Sequence, residues 1–299
     1  LFVDLNSYFA SVEQQVNPDL RGKPVAVVPV MTDRTSCIAA SYEAKKFGVK
    51  TGTNVGLAKR MCPGLILVNS GTGRYVEFHH RILAAAETVL PIHSVNSIDE
   101  FSCRLIGKQR ERGEAEKLAL AVKRAIARDV GECLLCSIGI APNRLLAKLA
   151  SDWVKPDGLT IIEKHELPSR LYELDVQAFA GIGPRMVQRL AAKGVGTVEE
   201  LCSRSAVEME AIWESVVGRW WYEALRGEDL YERPVIKRSI SHQHVLSPER
   251  RSPAGSREVA VRLLTKAVAR ARALGYWARH MSVSVRHFGE RSPEGLSLI

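Results

Sequence analysis

No stretch of this sequence is apolar for the about 18–20 residues that span a bilayer, and no basic-then-apolar leader opens it. A membrane protein is therefore not expected, and the expected location is the cytoplasm. Cysteine is sparse: six residues, at 37, 62, 103, 133, 136 and 202, lie in apolar segments without the spacing of a disulfide framework, which suits a reducing compartment. Cys133 and Cys136 form a single CxxC with no second ligand pair at zinc spacing, so both read as core. Internal repeats and low-complexity stretches are missing as well. Acids fall short of bases, 33 Asp and Glu against 42 Lys and Arg, and the resulting +9 charge favours a polyanionic partner.

What is there is a chain of 299 residues, 46% hydrophobic and 25% charged, which is ordinary for globular protein and long enough for two or more cores. It begins with Leu, and its last residues, GLSLI, read as a strand cut short, so a piece of a longer chain is expected.

Periodicity predicts a strand over 1–5, then a helix capped by Asn6 or Ser7 with Phe9, Val12 and Val16 on one face. PVAVVPV reads as a strand, AASYEAKKFG as a helix stopped by Gly48, and VGLAKRMCPG as a second short helix, a small α/β unit ending near residue 70. A helical face made of Val76, His79, Ile82, Leu83, Ala86 and Leu90 follows, then two strands around a bend in HSVNSIDEFSCRLIG. Leu118, Val122, Ile126 and Val130 mark another helix; CLLCSIGIA is an apolar strand, and Pro142 is placed as the first residue of the helix after it. This order suggests an antiparallel sheet backed by helices on one face. Residues 166–230 carry no strand signal and read as a separate helical module. YERPVIKRS looks like a linker, followed by a strand ISHQHVL, a long helix over 256–274 and a strand HMSVSVRHF. Trp220, Trp221 and Trp277 read as core anchors, and His79 and His80 as helix residues without a metal role.

Two features carry chemistry. Asp4 stands where a buried strand should continue, and Asp99 and Glu100 sit side by side at the predicted bend of SIDE. Adjacent strand residues point to opposite faces, so these acids converge only at a turn or strand end. If the strand ending at Asp4 lies beside the hairpin, three carboxylates meet at one sheet edge and need cations. A hard divalent ion, Mg²⁺ first, suits an oxygen-only set, and two ions about 4 Å apart can activate a hydroxyl and stabilise leaving pyrophosphate. Spacing alone leaves the other reading open, with Asp4 a helix cap and Asp99 and Glu100 exposed turn acids.

The motifs DLNSYFASVE, YEAKKFGV, SIDE, CSIGIAPNRLLAKLASDWVKPDG and GIGPRMVQRL occur in one order over nearly the whole chain. In this the chain resembles the Y-family translesion DNA polymerases, the group that includes DNA polymerase IV and the UmuC-like proteins. The resemblance implies an α+β multidomain fold, a right-hand polymerase with an antiparallel-sheet palm (1–12 and 71–160), small fingers (13–70) and a helical thumb with a helix-hairpin-helix (161–230). A linker (231–240) and an α/β little finger (241–299, truncated at its C-terminus) complete it.

The same resemblance implies that Asp4, Asp99 and Glu100 are catalytic and, with the Leu5 carbonyl, hold two Mg²⁺ ions, with Mn²⁺ as a substitute. Phe9 falls at the family's sugar gate, where an aromatic ring excludes a 2′-hydroxyl by clash. Tyr42, Lys45 and Lys155 fall at triphosphate positions. Here the chain departs from the commonest pattern: Lys45 stands where many members have Arg, a point charge in place of a fork, and Ala39 replaces a hydroxyl residue. Weaker nucleotide affinity is the expectation.

GIGPRMVQRL also reads independently as a hairpin whose Gly181 and Gly183 allow a tight turn beside a helix N-terminus, with Arg185 next to it, fit for a phosphate. From residue 239 onward ten Arg and Lys face four acids, and Arg250, Arg251 and Arg286 are expected on duplex phosphates, giving salt-sensitive binding. Primer-template DNA and a dNTP are the expected partners of a monomer, with a sliding clamp added through a C-terminal segment that is missing. Two rivals come from other classes. One is a non-catalytic DNA-binding scaffold of a damage-response complex, a type that loses the carboxylates this chain keeps; the other is a helix-hairpin-helix protein with an unrelated nucleotidyl cyclase domain.

Overall fold

The computed structural model describes residues 1–230, 239–285 and 294–298. It divides into two compact units, Leu1–Glu232 and Arg233–Ile299.

The first unit opens with β1 (Phe2–Leu5) and α1 (Tyr8–Val16), then β2 (Val25–Val28), β3 (Ala39–Ala40), α2 (Tyr42–Lys45), α3 (Val55–Met61) and β4 (Ile66–Asn69). Next come α4 (Thr72–Glu87), β5 (Ile92–Val95), β6 (Glu100–Cys103), α5 (Arg112–Asp129), β7 (Cys136–Ile140), α6 (Arg144–Trp153) and β8 (Leu159–Ile161). Four helices follow: α7 (Pro184–Ala192), α8 (Val198–Ser203), α9 (Ala206–Trp213) and α10 (Val217–Ala224).

A five-stranded sheet in the order β5-β6-β1-β7-β8 carries the site, with β1 at its centre. Its pairings are antiparallel except β7 with β8, which is parallel. Strand alternation sorts β1 cleanly. Val3 and Leu5 join Phe101, Cys103, Ile138 and Ile140 in a core closed by α4 and α5 through Tyr75, Phe78, Ile82, Ala119, Val122 and Ile126. Phe2 and Asp4 point the other way, onto the face shared by their partners Ser102, Glu100, Ser137 and Gly139. That second face is covered by α6, so helices lie on both faces of the sheet and not on one as the element order suggested. The approach is close: a Cβ on Gly139 would lie 2.0 Å from the Ala147 carbonyl and 2.4 Å from the Ser151 nitrogen. Glycine there lets a helix sit directly on a strand.

Several local expectations change for physical reasons. The segment expected as one helix over AASYEAKKFG is split: Ala39–Ala40 pair with β2, and Ser41 then caps a single turn, its hydroxyl accepting from the Ala44 nitrogen. β4 pairs in parallel with β2 and β8 in parallel with β7; both are edge strands that form against a neighbour's ladder hydrogen bonds, and neither was legible. Pro142 precedes the helix it was expected to begin; Asn143 is the cap, accepting from the Leu146 nitrogen at 3.0 Å. Val76 is exposed while Tyr75 and Phe78 are buried, so the apolar face of α4 is rotated by about one residue.

A second apolar cluster joins Leu145, Leu146 and Leu149 of α6 to Phe179, Leu190, Leu201, Met209 and Trp221. Helix α6 thus has one side in this helical core and another on the sheet. Trp221 is buried as expected and Trp220 partly so.

The second unit contains α11 (Pro253–Ala273), β9 (Met281–Val285) and β10 (Glu294–Leu298), the strands pairing antiparallel. Residues 240–246 form no strand among the described residues; an extended segment becomes one only where a neighbour supplies ladder hydrogen bonds. Trp277 is 96% exposed, against the expectation of a core anchor. Most of the expected linker, and Arg286, lie outside the described residues.

Candidate active site

Asp4 is not a helix cap. The residue before α1 is Ser7, held in a left-handed conformation (φ 49°), and Asp4 is buried inside β1 with only 6% of its surface exposed. It is paired directly opposite Glu100 across the antiparallel β1–β6 ladder, so the two side chains share a face. Asp99 lies one residue before β6, in the bend, where its backbone carbonyl accepts from the Leu5 nitrogen at 2.9 Å. Its carboxylate turns to the Ser97 hydroxyl at 2.5 Å, yet Asp99 lines the same cavity as Asp4.

The structure therefore brings two carboxylates together and leaves the third at the rim. Among the described residues no three acidic, His or Cys side chains stand together as a ready metal site. Like charges so close need a cation between them, and Lys148 supplies one. Its Nζ lies 2.5 Å from Asp4 Oδ2, 2.7 Å from Glu100 Oε1 and 3.1 Å from Asp152 Oδ2. Lys155 Nζ takes the other Asp4 oxygen, Oδ1, at 2.8 Å, and Asp152 Oδ1 at 2.8 Å. Burial alone would lower the Lys148 ammonium, but the Asp4 charge and the hydrogen bonds to Asp4 and Glu100 outweigh it and hold its pKa above the usual lysine value. Lys155 is raised by the same balance, burial opposed by hydrogen bonds to Asp152 and Asp4.

The loop carrying Lys155 is tied down by a buried polar network. Asn6 Oδ1 accepts from the Asp157 nitrogen at 2.8 Å, its amide donates to the Ser137 hydroxyl at 3.2 Å, and that hydroxyl donates to the Val154 carbonyl at 2.9 Å. These bonds are strong because water is excluded around them, and they hold Lys155 against Asp4.

A cavity of about 240 Å³ opens beside this cluster, bordered by Asp4, Leu5, Phe9, Lys45, Asp99 and Lys155, with Ala39 in its wall. Phe9 is half-buried and stacks on Tyr75. Tyr75 is fixed by its own hydroxyl, which donates to Glu13 Oε1 at 2.8 Å, while Arg74 pairs with Glu13 at 2.5 Å. Lys45 Nζ sits 4.3 Å from the centre of the Tyr42 ring. Lys45 as a whole is exposed, but partial burial of its ammonium, followed by the charge of Lys155, holds it below the usual lysine range. Burial raises the Tyr42 hydroxyl, keeping it protonated and able to donate.

The glycine hairpin runs between one 3₁₀ turn (Val176–Ala178) and α7, so a single turn stands where a first full helix was expected. Gly181 has φ +103°, a conformation that demands glycine; Gly183 is the residue before α7, and Arg185 is exposed in its first turn. In the second unit Arg250 pairs with Glu258 at 2.9 Å and Arg251 Nε bonds the Leu246 carbonyl at 3.4 Å.

Lys148 and Asp152 were missed in the sequence, although their i,i+4 spacing in AKLASDW, along the edge of the apolar face of Leu145, Leu146 and Leu149, marks them as one polar stripe. Tyr75, the support of Phe9, carried no sequence signal beyond helical periodicity.

A centrally placed strand acid thus faces a hairpin acid beside two lysines, a set of oxygen and ammonium groups whose chemistry suits a hard cation and a phosphate. Residues 3–152 match the impB/mucB/samB family model. The chain is 36% identical to DNA polymerase IV of Moorella thermoacetica over 296 residues, covering 96% of this chain and 72% of that protein. With DNA polymerase IV of Halorhodospira halophila it shares 31% over 295 residues, covering 96% and 80%. Among solved structures it is similar to DinB from Sulfolobus solfataricus (31% identity, TM-score 0.64, covering 78% of this chain and 68% of that one). The insertion ternary complex of Dbh DNA polymerase gives 26% identity and a TM-score of 0.69, covering 99% and 86%. The chain belongs to the impB/mucB/samB family, that of the Y-family translesion DNA polymerases.

Proposed function

We propose that the cavity beside Asp4 is where this polymerase adds a nucleotide to a primer 3′-hydroxyl on a DNA template, extending past damaged bases at low fidelity. One observation carries this assignment of the site: Asp4 and Glu100 face each other across two strands and share the Lys148 ammonium, and Asp4 and Lys148 line a cavity whose wall also holds Phe9, Lys45, Asp99 and Lys155.

The donor set fits a hard divalent cation. Asp4, Glu100 and the rim acid Asp99 offer only oxygen, the Leu5 carbonyl lies next to Asp4 in β1, and a positive charge already bridges Asp4 and Glu100. These four residues are the proposed ligands of two Mg²⁺ ions, with Mn²⁺ as a substitute. Such ions, when bound, supply Lewis-acid stabilisation to the attacking hydroxyl and the leaving pyrophosphate.

The protein's own groups do the rest. Lys155 and Lys45 place positive charge where the triphosphate enters, and the Tyr42 hydroxyl donates to it. Phe9, backed by Tyr75, presents a fixed flat ring beneath the sugar. The Gly181–Gly183 turn and Arg185 hold a backbone phosphate without reading sequence, and Arg250, Arg251 and Arg286 are assigned to duplex phosphates. We assign the 1–12 and 71–160 segments to the palm, 13–70 to the fingers, 161–230 to the thumb and 241–299 to the little finger, joined by a linker at 231–240. The protein acts as a monomer in the cytoplasm, where DNA and dNTPs are available; among the described residues no helix is long and apolar enough to cross a membrane.

Primer extension on an undamaged and an abasic template, with wild type and Asp99→Ala, tests the site. Extension by the wild type and its loss in the variant are expected. Equal, unmeasurable extension by both leaves a DNA-binding scaffold as the reading.

A further inference from the structure

Both oxygens of Asp4 already hold a cation, Lys155 on Oδ1 and Lys148 on Oδ2, and Glu100 shares the second of these. Side-chain exposure is 9% for Asp4, 18% for Lys148 and 25% for Glu100. Two carboxylates facing each other at this depth repel strongly, and an ammonium between them removes that repulsion. The position of Lys148 is not accidental. Its helix is seated on β7 by Gly139, and its Nζ lies 5.5 Å from the centre of the Phe2 ring, on the same strand face as Asp4.

A divalent ion on Asp4 and Glu100 needs the oxygens Lys148 now occupies, so the ammonium has to leave them. One acceptor is already within reach. Asp152 is one helical turn along α6, 3.1 Å from the same Nζ, and its side chain is 38% exposed, open enough to keep a charge solvated. The Asp152 carboxylate is thus placed to receive Lys148 with a small change of side-chain torsion.

We propose that Lys148 is a positioning residue that acts as a built-in counter-cation, holding Asp4 and Glu100 side by side until a divalent ion takes their oxygens, and that Asp152 then receives it. This rests on the reading of Asp4 and Glu100 as metal ligands. Two consequences follow. Lys148 weakens metal binding by competing for the oxygens, and Asp152 strengthens it chiefly by drawing Lys148 away.

Calorimetric titration of the folded protein with Mn²⁺, without DNA or nucleotide, separates these effects. Lys148→Met is expected to bind Mn²⁺ about tenfold more tightly than wild type and to melt at lower temperature in chelator, regaining stability as Mn²⁺ is added. Asp152→Asn is expected to bind severalfold more weakly. In the Lys148→Met background Asp152→Asn is expected to have a much smaller effect than in wild type, because only its 2.8 Å contact with Lys155 is left to lose; simple charge effects on the metal would instead add. Additive effects, or unchanged or weaker Mn²⁺ binding by Lys148→Met, overturn the inference. Should Lys148→Met fail to fold, Lys148→Gln, which keeps a donor without the charge, completes the same cycle. Glu100→Gln is the reference: if it leaves Mn²⁺ binding intact, the ligand reading itself fails, whereas its loss of binding together with an additive cycle defeats only the role of Lys148.

Discussion

The Phe9 ring lies flat against Tyr75, with centroids 4.3 Å apart and planes 17° apart. Tyr75 cannot recede, because its hydroxyl is bonded to Glu13, a residue only 3% exposed and paired with Arg74. A gate that excludes one oxygen works only if it does not yield, and this stack supplies the stiffness. Phe9→Ala is accordingly expected to raise the ratio of ribonucleotide to deoxyribonucleotide insertion by at least about tenfold. Single-nucleotide insertion kinetics measure this; an unchanged ratio removes Phe9 as the gate.

Asp4→Ala and Glu100→Ala each remove half of the facing pair and leave Lys148 with an incomplete set of acceptors. Primer extension is expected to fall by about a thousandfold or more in each, since the charge stabilisation involved is worth several kcal/mol. Binding of primer-template DNA, followed by fluorescence anisotropy, should persist. Extension within tenfold of wild type would falsify the assignment of that residue.

Gly139→Ala has no room: its methyl group would collide with backbone atoms of Ala147 and Ser151 in α6. Backbone cannot give way as a flexible side chain does, so a loss of about 2–3 kcal/mol is expected in urea unfolding. Because α6 carries Lys148 and Asp152, activity should fall with it.

Lys45 has a depressed pKa, from burial first and then from Lys155, so its charge is lost at lower pH than that of a free lysine. The KM for dNTP is expected to start rising, as pH increases, below the ordinary lysine range. Lys45→Arg keeps its charge throughout and should move that rise to higher pH. Identical pH profiles for the two proteins would remove Lys45 from the triphosphate.

Arg185 is exposed beside the glycine turn. Arg185→Ala is expected to weaken DNA binding equally for unrelated sequences and to reduce the slope of log affinity against log salt by about one. A loss confined to one sequence would mean that Arg185 reads bases.

Much of the site was legible because short motifs carry it. The acid in the first strand, the adjacent acids at a hairpin bend and the glycine turn each have a local physical meaning that survives without coordinates. Elements whose pairing is set by a partner were not legible: β4 and β8 are edge strands formed against β2 and β7, and Ala39–Ala40 became a strand because β2 offered it hydrogen bonds. Trp277 shows the same limit from the other side, a large apolar residue that looks like core and lies almost fully exposed.

The sequence by itself determined which residues could do the chemistry, since residue type and order along the chain settle charge, donor atoms and family membership. Only the tertiary structure decided which of them meet. Register across the β1–β6 ladder put Asp4 opposite Glu100 and left Asp99 at the rim, and the seating of α6 on Gly139 brought Lys148, 144 residues away in sequence, between the two acids. Contacts of that span depend on strand register and helix packing, which are properties of the folded whole and not of any local stretch.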